Sequence, residues 1–113
     1  MNLLIADDTA EVLNFLQDFF VKAGHSVFCA RDGEEALKIL QNEEIDGIFC
    51  ALTMPKLGGL ELLKEVQSAN SRRPLVILCP PNDSENALNA LQLGACDYLL
   101  TVSYTHLTLP TKA

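Results

Sequence analysis

No apolar stretch in this sequence approaches the roughly 20 residues that span a bilayer, and the Met1 end lacks the basic start of a secretory signal. A soluble, cytoplasmic protein is expected. Positive charge is also scarce. Eight Lys and Arg stand against fifteen Asp and Glu, a net charge of −7 that repels phosphate backbones and anionic lipid alike. Nucleic acid and membrane are therefore not expected partners of this segment. The four cysteines, Cys29, Cys50, Cys79 and Cys96, form no Cys-x-x-Cys pair and no ligand spacing with His25 or His106. Each lies in or beside an apolar run and is expected to be a small buried side chain. The turn after the first apolar run, Ala6 to Ala10, has no Gly-rich phosphate cradle, which argues against a nucleotide or flavin binder.

What is present is a chain of 113 residues, 49% hydrophobic, enough for about one domain with a single core. Its organising stretch runs from Asp46 to Leu60. A short apolar run suited to a strand buried on both faces breaks at Pro55, Gly58 and Gly59 before a helical pattern begins. Around it, apolar runs alternate with segments of helical period. Asn2 to Ala6 reads as a strand, and Val12, Leu13, Phe15, Leu16, Phe19, Phe20 and Ala23 mark one apolar helix face. Asp8 with Glu11 has the spacing of a capping pair for that helix, and Gly24 suits its end. Ser26 to Ala30 is a second strand, followed by a helix opened by Asp32 and Glu35 with Ala36, Leu37, Ile39 and Leu40 inward. Leu60, Leu63 and Val66 carry the third helix, Leu75 to Cys79 the fourth strand, and Pro80 and Pro81 stop it. Asp83 caps a fourth helix with Ala87, Leu88, Leu91 and Leu93 on its apolar side, and Asp97 to Leu100 is strand five. Five strands alternating with four helices predict right-handed crossovers and an α/β, doubly wound parallel sheet.

A fifth helix should follow strand five, yet Val102 to Ala113 has no 3.6-residue period. That run resembles a translated sequencing adapter. Residues 1–101 are therefore read as the domain, C-terminally truncated, and 102–113 as a non-native tail, so that Tyr104, His106 and Lys112 carry no functional weight. Without the fifth helix, one face of strands one, three and five keeps apolar surface in water, and marginal stability is expected.

From Met1 to Leu100 the chain resembles the receiver domain of bacterial two-component response regulators. The resemblance rests on the acidic pair Asp7-Asp8 after strand one, on Met54-Pro55 and Gly59 in the pattern D-x-x-M-P-x-x-x-G, and on Leu93-Gly94-Ala95-Cys96-Asp97-Tyr98-Leu99. It implies a flavodoxin-like, five-stranded sheet of order 2-1-3-4-5. It further implies that Asp7, Asp8 and a third carboxylate hold Mg²⁺, a cation that takes oxygen ligands, with the backbone carbonyl of Thr53 completing the site. In the family the third carboxylate takes a phosphoryl group from a kinase phosphohistidine while a Lys and the metal neutralise charge. A Thr or Ser on strand four then binds the phosphoryl group, and a switch aromatic on strand five, here Tyr98, follows.

Against that pattern the sequence departs three times. Ala51 stands at the phosphoacceptor position, Cys79 at the Thr or Ser position, and Thr101 at the Lys position, next to the tail. A methyl offers no acceptor oxygen. Asp46 is no substitute, because it lies five residues upstream, roughly 16 Å away at about 3.3 Å per residue. An engineered Asp→Ala change would have left the hydroxyl at 79, so Cys79 points to natural degeneracy. Mg²⁺ binding is expected to be weakened by loss of the third carboxylate. The bland roles are a helix cap and a first-turn carboxylate for Asp7 and Asp8, a strand-end core residue for Cys79, a half-buried strand residue for Tyr98 and a solvated loop for Arg72 and Arg73.

Two functions are implied. The first is a receiver in phosphorelay signalling, non-enzymatic and unable to be phosphorylated at the usual site, with a histidine kinase or phosphotransfer protein as partner and an output domain beyond this chain. The second is a phosphorylation-independent interaction module that binds a partner, or a twin as a homodimer, through helix four and strand five.

Overall fold

The computed structural model describes residues 1–54, 56–68, 73–80 and 84–100. The elements follow in strict alternation: β1 (Asn2–Ala6), α1 (Ala10–Lys22), β2 (Ser26–Ala30), α2 (Gly33–Asn42), β3 (Gly47–Ala51), α3 (Gly59–Ser68), β4 (Leu75–Cys79), α4 (Ser84–Leu93) and β5 (Asp97–Leu100). All strand pairs are parallel and the sheet order is β2-β1-β3-β4-β5, as expected. The expected absence of a fifth helix falls on residues 101–113, and the expected capping by Asp83 on residue 83; both lie outside the described residues, as do Pro55, Pro81 and Arg72. Among the described residues, no helix is long and apolar enough to cross a membrane.

The two faces of the sheet follow from its register, since side chains alternate along each strand. One face carries the aligned row Ala30, Ala6, Cys50, Ile77 and Tyr98, and beside it Phe28, Leu4, Ile48 and Leu75. These residues form one cluster with Ala36 and Leu40 of α2, Leu62, Leu63 and Val66 of α3, and Ala90 of α4. The other face carries Cys29, Ile5, Phe49, Val76 and Asp97 in one row and Ala51, Leu78 and Leu99 in the next. There α1 packs on β1 and β2. Beyond it, Leu3, Phe20, Phe49 and Val76 border a groove of about 240 Å³ near His25 and Asp46. Phe20 closes one side of the groove by stacking on Phe49, with ring centroids 5.0 Å apart.

Helix ends follow partly expected chemistry. The Asp32 carboxylate accepts from the Glu35 amide at 2.8 Å, and the Glu35 carboxylate accepts in turn from the Arg31 amide at 2.7 Å. Gly24 and Gly94 take positive φ after α1 and α4, the left-handed turn that an L side chain strains to adopt.

Four expectations need correction. Asp8 does not cap α1; Thr9 is the N-cap and the helix begins at Ala10, so the Asp8–Glu11 spacing has no cap to make. Phe19 is 58% exposed, and Ala23, the C-cap beyond Lys22, is exposed, so neither lies on the buried face of α1. Among the described side chains of α4, Ala90 is buried, whereas Leu88 and Leu93 are about half exposed and Leu91 half-buried. Cys50 and Cys79 are buried, but Cys29 is half-buried and Cys96 is exposed, in the turn whose amide donates to the Leu75 carbonyl.

Candidate functional site

Parallel strands end their functional loops on one side, and β1 and β3 are neighbours although 40 or so residues separate them in the chain. The loops leaving β1, β3 and β4 therefore meet. They bound a crevice of about 360 Å³ lined by Asp7, Asp8, Thr9, Val12, Ala51, Thr53, Leu78 and Pro80. Asp7, Asp8, Ala51 and Thr53 are thus brought together. Asp46 is not: it precedes β3 at the opposite end of the sheet, where its carboxylate accepts from the Asn2 amide at 2.8 Å.

Asp7 and Asp8 differ in kind. Among the described residues Asp7 is the buried polar side chain, 5% exposed, while Asp8 is exposed. The Asp7 carboxylate accepts from the Thr9 amide at 2.9 Å, closing a tight turn, and its own amide donates to the Ala30 carbonyl at 3.0 Å. Burial pushes its carboxyl above the ordinary range, the backbone and side chain of Thr9 oppose that, and the charge of Asp8 adds to it. Beneath it, burial and then the charge of Asp7 push the Cys50 thiol up to about 12.

Ala51 is held by its main chain. The Leu52 amide donates to the Leu78 carbonyl and the Gly59 amide to the Leu52 carbonyl, both at 2.9 Å. Gly59 is needed here, since a Cβ on it would lie 2.5 Å from the Ala51 carbonyl oxygen. This explains the glycine of the motif in physical terms: the start of α3 touches the backbone of the site. The Glu61 carboxylate accepts from the Gly58 amide at 2.9 Å and fixes that start, and its spacing from Gly58 was a readable signal.

Lys56 was not anticipated. It sits at φ 69, with its ammonium 3.8 Å from the Asp32 carboxylate and 3.7 Å from that of Glu34. Gly33 packs directly on Leu57. The β3–α3 loop is therefore fastened to the start of α2. Neither the left-handed lysine nor its long-range partners leave a mark in local sequence.

The remaining candidates divide. Cys79 faces the core cluster, because alternation along β4 turns its neighbour Leu78 to the crevice. Tyr98 is half-buried against the same cluster, and its amide donates to the Asp97 carboxylate at 2.8 Å. Thr101 lies outside the described residues.

Hard divalent cations want several oxygens and, in such crevices, enough negative charge to offset dehydration. The crevice offers two carboxylates, one of them engaged by Thr9, and its other walls are Thr9, Thr53, Val12, Ala51, Leu78 and Pro80. Among the described residues no group of three or more His, Cys, Asp or Glu is placed to hold a metal. The crevice thus offers two carboxylates, and the side chain at 51 adds no oxygen to them.

A family model described as the response regulator receiver domain matches residues 3–102. The alkaline phosphatase synthesis transcriptional regulatory protein PhoP of Bacillus subtilis is 33% identical over 97 residues, 86% of this chain and 40% of that protein. The regulatory protein AtoC of Escherichia coli is 32% identical over 98 residues, 87% of this chain and 21% of that protein. The chain thus spans less than half the length of these relatives. Among solved structures, the receiver domain of the Francisella response regulator 1452 superposes with a TM-score of 0.81 at 33% identity, covering 88% of this chain and 83% of that one. The chemotaxis protein CheY4 of Vibrio cholerae superposes with a TM-score of 0.81 at 27% identity, covering 98% and 94%.

Proposed function

Because the chain belongs to the response regulator receiver family, we propose that it is a pseudo-receiver: a two-component signalling domain that is not phosphorylated at the family's position. Receiver domains interact with histidine kinases or phosphotransfer proteins, typically bind Mg²⁺ at the phosphorylation site and are generally non-enzymatic. The observation that carries the reading is Ala51, whose methyl lines the crevice beside Asp7 and Asp8. Phosphotransfer needs an oxygen nucleophile on the acceptor, and a methyl has none. What remains for a cation is Asp7, Asp8 and the Thr53 carbonyl, a weakened set. Cys79 fills the Thr or Ser position without a hydroxyl, and Tyr98 stays on the core as a strand residue. A kinase or phosphotransfer partner would then be engaged by shape alone, with output through a segment beyond residue 101; residues 102–113 are read as a non-native tail.

A second reading is favoured by the exposed Leu88 and Leu93 of α4 and Leu99 of β5. In it these residues carry a phosphorylation-independent contact with a partner or a second copy. Incubation with acetyl phosphate and Mg²⁺, read by intact-protein mass spectrometry, tests the first reading. The parent gains no phosphoryl group, whereas Ala51→Asp does. An alkali-labile acyl phosphate formed by the parent would overturn it.

A further inference from the structure

Resting on that reading of position 51, we propose that Asp7 serves this domain as the turn-former between β1 and α1 and not as a cation ligand, so that the domain holds its shape with no divalent metal. Thr9, the N-cap of α1, makes no side-chain cap bond, and its carbonyl only accepts from Leu13. The turn is held instead by the Asp7 carboxylate on the Thr9 amide, inside a crevice where Asp7 is 5% exposed. An oxygen that accepts this bond is required there, and a negative charge is not. The carboxylate is buried, and Asp8 beside it in the crevice carries a charge of the same sign. In a crevice with three acids, a cation would relieve such repulsion. With a methyl at 51 and apolar walls from Val12, Leu78 and Pro80, the repulsion is smaller and the ligands too few for the metal to be the remedy.

Asparagine separates the two roles, since its amide oxygen accepts from Thr9 while it is a poor substitute for a carboxylate on Mg²⁺. Thermal melts of the full chain in millimolar MgCl₂ and in EDTA, followed by circular dichroism, are the test. The parent should melt at one temperature in both. Asp7→Asn should melt at or above the parent, and Asp7→Ala about 4–8 °C below it, the loss of one turn-holding bond in a domain of this size. A Mg²⁺-dependent rise in the parent that disappears in Asp7→Asn would overturn the proposal, as would Asp7→Asn falling as far as Asp7→Ala. Ala51→Asp keeps the two readings distinguishable. If it melts higher in MgCl₂ while the parent does not, the crevice is the family's site and the parent has lost the metal. If the parent remains unphosphorylated but responds to Mg²⁺, only the present inference fails.

Discussion

The two faces of the sheet use the same five strands and comparable apolar side chains, yet the described residues seal only one of them. Under α2, α3 and α4, the row Ala6, Cys50 and Ile77 is fully buried. On the α1 side, Phe49 and Val76 are half-buried beside a groove, and Leu99 is 45% exposed. Packing on the first face anchors the strands, and the crevice opens at the upper rim of the second. Cohesion and chemistry are therefore assigned to opposite sides, and one can be altered with little effect on the other.

The largest expected effect tests that assignment. Ile77→Ala on the sealed face should cost about 2–5 kcal/mol in urea denaturation, the usual range for a large core residue. Phe49→Ala, with less contact to lose, should cost about half as much despite its greater size. Equal costs would show that the groove side is as tightly packed as the other.

Thiol chemistry sharpens the same contrast. With a small alkylating reagent at mildly alkaline pH, Cys96 should react first, Cys29 on the α1 side more slowly, and Cys50 and Cys79 only on unfolding. Burial raises Cys29 as well, assisted by Glu35, but less completely than Cys50. Because the Cys50 thiol is held near 12 in the folded chain against an ordinary value of 9.0, the unfolded chain loses its proton first. Stability should therefore be intact below about pH 9 and fall as the pH climbs toward about 12. A melt unchanged across that window would place Cys50 in a wetter site than the fold implies.

The smallest effect is expected at Leu99→Ser, within about 0.5 kcal/mol for the isolated domain, since half of that side chain already meets water. A larger loss, accompanied by dissociation in sedimentation, would mean that a second copy covers β5.

Much of this was legible in the chain. Alternating apolar runs and helical periods placed all nine elements, and Asp7, Asp8 and Ala51 fell at strand ends that parallel order brings together. The misread positions share a cause. Phe19, Leu88 and Leu93 have the right spacing for an inward face, but periodicity counts apolar residues without knowing what lies opposite. Asp8 and Glu11 have the right spacing for a cap, but the helix starts two residues past Asp8, and the turn is held by Asp7. Lys56 is the clearest case of what spacing omits. Its backbone conformation is rare for lysine, and its partners Asp32 and Glu34 lie more than twenty residues away.

The main chain around position 51 is fixed by ladder bonds and by the approach of Gly59, none of which involves the side chain there. A single codon can consequently change the side chain at 51 while the scaffold registers nothing. In a lineage, a domain of this kind could fall mute and later be revived without ever passing through an unfolded ancestor.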